Sequence, residues 1–312
     1  MSERPSLVAA FTALPGSLRG ALWMIAASAA FAAMNGSIRH ISADVHPFEI
    51  AFFRNFFGLV FMLPWLMRVG FGALKTERLG LYTLRGVLGM AAMMAWFWSL
   101  SVMPLAEAVA LNFTLPLFGT VLAVLVLGEV VRIRRWSATI VGFIGAMIIM
   151  RPGIEEVGLN QIIVLFAALM MAATAIAVKI LSRTESPVAI VMYMTIFLTP
   201  LSAIPAVFVW QTPDWNSLIW MAWIGGLANV AHLLITHAFR ATEASVVMPF
   251  DFARLVFVAI IGFIFFDEVA DAWTWVGAAV IAASSVYIAH RETRVARAGR
   301  VAAEVTARGE GR

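Results

Sequence analysis

Residues Pro104 to Arg151 read PLAEAVALNFTLPLFGTVLAVLVLGEVVRIRRWSATIVGFIGAMIIMR: an apolar run, Glu129, a short basic loop, and a second apolar run opening near Trp136. Moved along the chain by the separation of Glu129 and Glu268, the stretch falls on Asp251 to His290. Phe113 then meets Phe252, Val130 meets Val269, Trp136 meets Trp275 and Val141 meets Val280. Few identities survive, but the order of apolar helix, glutamate, tryptophan and apolar helix is kept. That order points to an internal duplication, and a duplication constrains the fold before any helix is assigned.

Working outward, the whole chain is apolar. Hydrophobic residues make up 62% and charged residues only 13% of the 312 residues, where a soluble globule carries about 25% charge. A bilayer core requires about 20 apolar residues per helix. Ten runs meet that need, near 20–38, 47–67, 80–101, 106–127, 135–150, 160–181, 187–210, 217–239, 244–266 and 273–290. The expected fold is all-α and integral to the membrane, with ten transmembrane helices. Residues 1–19 form a cytoplasmic lead whose LVAAFTAL segment is either interfacial or disordered. The two five-helix repeats are 20–150 and 160–290, joined by a linker at 151–159, and a basic tail spans 291–312. The first run is too long for a cleaved signal sequence. Cysteine is absent, so disulfides and thiolate metal sites are excluded.

Charge orients the chain. With the N-terminus in the cytoplasm, 18 of the 22 Lys and Arg fall on cytoplasmic segments, including Arg78, Arg85, Arg132, Arg134, Arg135, Lys179 and the tail arginines. Only Arg39 and Arg151 fall on the other side, while Arg54 and Arg254 lie within the membrane. The positive-inside rule therefore places both termini in the cytoplasm of a cell inner membrane. The net charge of +4 is a membrane-surface signal and does not imply a nucleic-acid partner. Five helices per half means that the loop after Glu129 faces the cytoplasm and the loop after Glu268 faces out. The repeats are thus inverted, an arrangement found in secondary transporters with sites near mid-membrane.

Candidate site residues follow from the cost of burying polarity. Arg54, in HPFEIAFFRNFFGLVFMLP, sits about two turns below the outer edge; an intramembrane arginine faces a cavity or a partner, unless it snorkels outward or pairs with Glu49. Asp251 and Arg254, spaced i, i+3 in the ninth helix, share one face and can neutralise each other. Two arginines against one aspartate suit an anionic or zwitterionic ligand, and Asp251 is a candidate carrier of a coupling proton. Asn112, Trp96 and His232 complete the predicted substrate site. Arg85 reads as a snorkelling anchor first and a site residue second, Lys179 as a snorkelling anchor, Glu107 as a carboxylate at a helix N-terminus, and Pro116 as a kink that frees a carbonyl. Ala138, Gly142 and Ala146 form a close-packing stripe.

Several stretches together resemble the drug/metabolite transporter superfamily, in particular its ten-helix members built from two EamA-type domains. They are AFFRNFFGLVFMLP, Arg85 to Trp96, PLAEAVALNFTLPLF with GEV, and EASVVMPFDFARLVF with DEV plus Trp275 and Gly277. The resemblance implies a central cavity between two five-helix bundles and small polar substrates such as amino acids, riboflavin or S-adenosylmethionine. One departure is that Pro116 of the first half meets Leu255 of the second, so matching kinks are not expected. The function read from the sequence is a secondary carrier of a small polar metabolite working by alternating access, with no cofactor, no metal and no enzymatic step. The alternatives are a lipid-handling or structural membrane component and, with no paired-histidine metal motif or Gly-rich nucleophile elbow present, a membrane-embedded enzyme. No Gly-rich phosphate loop ends in Lys-Ser or Lys-Thr, which excludes an internal ATPase.

Overall fold

A computed structural model describes residues 14–69, 76–130, 133–151, 158–185, 187–242 and 247–287. Most of the N-terminal lead, Arg132, the linker core at 152–157, His290 and the basic tail lie outside the described residues, as do the side chains of Arg68, Arg134, Arg135 and Pro249. Ten helical segments carry the fold: α1 (Gly16–Ile41), α2 (Pro47–Val69), α3 (Leu79–Val102), α4 (Leu105–Leu127), α5 (Ile133–Met150), α6 (Leu159–Leu181), α7 (Pro187–Phe208), α8 (Trp215–Ala241), α9 (Ala253–Phe266) and α10 (Ala272–Tyr287). α1, α3, α4, α6 and α8 are each long and apolar enough to cross a membrane. No strand occurs among the described residues.

One helix, α4, is broken near its middle, and α9 opens from a 3₁₀ turn. α4 stops at Asn112 and restarts at Leu115, so Pro116 occupies the first turn of a new segment instead of kinking a continuous one. A proline is tolerated there because its missing N–H would lack an intrahelical partner anyway. The carbonyl of Leu111, left at the break, accepts from the Thr114 hydroxyl at 2.7 Å. α9 is preceded by a 3₁₀ turn, Met248–Phe252, at the matching place in the second half. The expectation of unmatched kinks thus holds in shape, a two-residue gap against a five-residue turn, while their location is shared.

Helix packing repeats itself when the halves are exchanged. α8 packs along α1 as α3 packs along α6; α8 crosses α2 as α3 crosses α7; α9 lies on α1 as α4 lies on α6; and α2 meets α7. α5 and α10 cross at glycines. A Cβ on Gly277 would stand 2.5 Å from the Gly145 carbonyl oxygen, and the symmetry-equivalent contact is the Ser284 hydroxyl donating to the Ala138 carbonyl. With five helices in each half, the first helix of the second half runs opposite to α1, so the repeats are inverted.

The glutamates that open the argument are placed by the same local device. α4 ends on Gly128 in the left-handed region, φ 65°, and the Glu129 N–H donates to Ala123 O at 3.2 Å. α9 ends on Asp267, φ 53°, and the Glu268 N–H donates to Gly262 O at 3.0 Å. Glycine takes this conformation without strain, and aspartate is among the few other residues that tolerate it. Each glutamate then reaches the first helix of the other repeat. Lys179 of α6 pairs with Glu129, so it is an ion-pair partner as well as an interfacial base. Arg39 of α1 pairs with Glu268 at 3.1 Å. Arg151 pairs with Asp271 at 2.8 Å, so Arg39 and Arg151, at the ends of α1 and α5, both meet acids of the loop after α9.

Candidate functional site

All six predicted site residues line one cavity of about 620 Å³ on the pseudo-symmetry axis: Arg54, Trp96, Asn112, His232, Asp251 and Arg254. Its wall runs from Asn35, Trp96 and Asn112 toward Arg85, Met248 and Ser285, at the end where α1 begins and α10 stops. The break in α4 and the 3₁₀ turn at the head of α9 are what bring polar groups here, since an unwound turn within a membrane protein is tolerated where it lines a cavity. Asn112 closes the first segment of α4 and donates to Met171 Sδ on α6 at 3.6 Å. Its repeat equivalent, Asp251, lies in the 3₁₀ turn and accepts from the Ser28 hydroxyl on α1 at 3.1 Å. One position of the duplicated sequence is therefore neutral in one half and anionic in the other, each touching the first helix of the opposite repeat.

Asp251 also accepts from Arg254, as their spacing predicts, and the Arg254 guanidinium stands 4.6 Å over the Phe31 ring. His232 meets the same ring edge to face at 5.4 Å, and it is the most exposed of the six. Arg54 is anchored on the cavity wall by donating to its neighbour Asn55 Oδ1 at 2.8 Å, and Asn55 donates on to Ser202 at 3.2 Å. The pairing with Glu49 does not form: Glu49 is buried and accepts the Gln211 N–H at 2.6 Å. Among the described residues Arg54 has no carboxylate partner. Glu107 accepts from Gln161 of α6 at 2.9 Å and lies outside the cavity.

Arg85 is the residue whose role sequence reasoning placed second. It lines the cavity at 7% exposure, so it is not a side chain extended to the headgroups. The signal available was periodic: Arg85, Gly89, Ala92 and Trp96 fall on one face of α3, and all four line the wall. With Arg54, Arg85 and Arg254 against Asp251, the cavity holds three fixed positive charges and one negative. Each cation at the centre of a helix costs at least about 2.5 kcal/mol of insertion free energy. The remaining wall is apolar and soft, formed by Phe31, Phe113, Phe252 and several methionines, a surface suited to a flat ring system.

The model of the EamA-like transporter family matches residues 18–151 and again 159–289. The chain belongs to that family. Among curated relatives, a riboflavin transporter of Vibrio cholerae serotype O1 is 34% identical over 90% of this chain and 96% of its own length. An S-adenosylmethionine uptake transporter of Rickettsia bellii is 30% identical over 87% and 94%. A solved crystal structure superposes with a TM-score of 0.58 at 17% identity, covering 88% of this chain and 96% of the other, which bears on the fold alone. This EamA-family chain is a multi-pass membrane transporter of a small metabolite.

Proposed function

We propose that this protein is a secondary carrier that moves a small polar metabolite with a flat ring across the bacterial inner membrane by alternating access at the central cavity. The observation that carries the reading is the unequal state of two equivalent closures. At the end remote from the termini, Glu268 accepts from Arg39 and from the Leu105 N–H at 2.7 Å, Arg39 also donates to the Ser101 carbonyl, and the paired side chains are 24% and 14% exposed. At the terminal end, Lys179 and Glu129 form the matching pair at 51% and 33% exposure. One end is bound by a partly buried network of three hydrogen bonds and the other by a more exposed single pair, while the cavity extends toward the more exposed end. Exchanging the conformations of the two inverted repeats would exchange the closures, which is the motion that alternating access requires.

In this reading the two repeats are 20–150 and 160–290, both termini are cytoplasmic, and the conformation described is open toward the cytoplasm. Asp251, held beside Arg254 and Ser28, is the proposed carrier of a coupling proton, and the cycle contains no chemical step. Riboflavin and S-adenosylmethionine are the first substrates to test, each combining a heterocycle with a polar chain. Purified protein in proteoliposomes should accumulate one of them when a pH gradient is imposed, and Asp251→Asn should abolish the gradient dependence. Equal uptake by protein-free vesicles overturns the reading.

A further inference from the structure

Arg85 stands apart from the polar cluster formed by Arg54, His232, Asp251 and Arg254. It is 93% buried by its 7% exposure, and its Nε lacks a hydrogen-bond partner. Among the described residues it makes no hydrogen bond or ion pair. The nearest ionisable group on its own helix, Tyr82, donates its hydroxyl to Glu185 at 3.2 Å, and Glu185 also accepts from Thr76 at 2.9 Å. Glu185, which meets this end of α3, is therefore already committed to two hydroxyls. A guanidinium presents five donors in a planar fork that matches carboxylate and phosphate oxygens. Here that fork lines the wall of a cavity whose one carboxylate among the described residues, Asp251, is engaged by Arg254 and Ser28.

Position along α3 separates Arg85 from the aromatic part of the wall. Arg85, Gly89, Ala92 and Trp96 share a face, and eleven residues at 1.5 Å each put about 16 Å of helix axis between the first and the last. Trp96 and Phe97 lie toward the closed end, and Arg85 toward the open one.

Resting on the transport reading, we infer that Arg85 is a second, anion-recognising subsite of the cavity. The substrate is elongated: its ring lies among Trp96, Phe31 and the axial phenylalanines, and a carboxylate or phosphate at its other end docks on Arg85. The subsite discriminates between otherwise identical solutes by that anionic group, through charge-assisted hydrogen bonds that a neutral analogue cannot make.

Two ligand pairs that differ by one anionic group test this. Riboflavin and riboflavin 5′-phosphate report phosphate recognition; decarboxylated S-adenosylmethionine and S-adenosylmethionine report carboxylate recognition. Dissociation constants are measured on protein purified in detergent free of phospholipid. In at least one pair, the member that carries the anionic group should bind at least tenfold more tightly to the native protein than the member that lacks it. Arg85→Gln should reduce that ratio tenfold, and Arg85→Lys, which keeps the charge, should keep most of it. A native ratio at or below one in both pairs overturns the inference without reference to any variant, as does a ratio that survives Arg85→Gln. A preference lost on reconstitution with phosphatidylglycerol assigns the subsite to a lipid headgroup and overturns it as well. Proteoliposome uptake separates the two readings: carriage of a solute with no anion preference leaves the transporter standing and removes the subsite, whereas neither binding nor uptake of any of the four removes both.

Discussion

Phe113 and Phe252 face each other with ring centroids 4.4 Å apart and planes inclined by 48°, and they are the same position of the two repeats. A residue can touch its own repeat equivalent only on the axis that relates the halves. The axis therefore passes between these rings, beside the break in α4 and the 3₁₀ turn at the head of α9 and along the cavity wall that both phenylalanines form. Because each half contributes five helices, the axis of the inverted repeats lies in the membrane plane, and in the alternating-access cycle proposed above this contact is the pivot.

Replacing either ring should weaken the pivot, and replacing both should cost less than the sum. Aromatic pairs contribute about 0.5–1.5 kcal/mol beyond their buried area. Phe113→Leu and Phe252→Leu, singly and together in a double-mutant cycle read by thermal unfolding in detergent, should return a coupling of that size. Effects that add within about 0.5 kcal/mol would mean that the rings touch without supporting each other.

The crossing of α5 and α10 makes a sharper prediction, because the obstacle there is backbone. A methyl group on Gly277 would meet the Gly145 carbonyl oxygen at 2.5 Å and Ile149 Cγ1 at 2.5 Å. Neither obstacle yields easily, since Cγ1 sits beside the branched Cβ of a stiff side chain and the carbonyl is backbone. Gly277→Ala should lower stability by about 1–3 kcal/mol, the range for overpacking. Gly80→Ala, where nothing lies within 4 Å, should be neutral or stabilising. Equal melting temperatures for the two variants would show that the helices separate at little cost.

The ten helices, the inverted repeat and the six cavity residues were legible because each rests on a local cost that the sequence displays. Apolar runs of bilayer length have few alternatives, and Arg54, Asp251 and Arg254 are too costly within the membrane to be placed without a cavity. The cross-repeat pairs of Glu129 with Lys179 and Glu268 with Arg39 were not legible. They join residues far apart in the chain, and only the packing of α1 on α9 and of α6 on α4 brings them within reach. Arg85 was read as an anchor because its depth fits either role, and depth alone does not say which way a side chain points. Pro116 misled for a similar reason: proline marks a break, but whether it kinks a helix or starts one depends on the two residues before it.

The closures predict opposite effects from equivalent substitutions. Glu268→Gln removes the charge that holds Arg39 and the start of α4, and should open the end remote from the termini. Glu129→Gln removes only an exposed pair, worth about 0–1 kcal/mol, and should shift the population far less in the conformation described. The chain has no cysteine, so Asn35→Cys on the cavity wall gives a unique label site. Its modification by a membrane-impermeant maleimide from that remote side should rise several-fold in the Glu268→Gln background and not in Glu129→Gln. Equal labelling in both backgrounds would show that the partly buried network does not hold the end shut.

Arg54 and Asp251 should part company when stability and transport are measured on the same variants. Arg54 has no carboxylate partner among the described residues, so Arg54→Ala orphans no acid and removes a cation that is costly to insert, by about 2.5–3.5 kcal/mol at a helix centre. Against this stands only the lost hydrogen bond to Asn55, worth about 1–3 kcal/mol if its oxygen stays dry. The melting temperature should therefore hold or rise while uptake falls at least tenfold, the signature of a charge kept for function at the expense of stability. Asp251→Asn instead leaves Arg254 without its anion in a partly buried pair, 18% and 28% exposed, and removing one partner of a pair shielded from water is destabilising. That variant should lose both stability and uptake, with Arg254→Lys falling between. If Arg54→Ala melts lower and still transports, Arg54 is a packing residue braced by Asn55, and substrate selection must be sought at Asn112, Trp96 and His232.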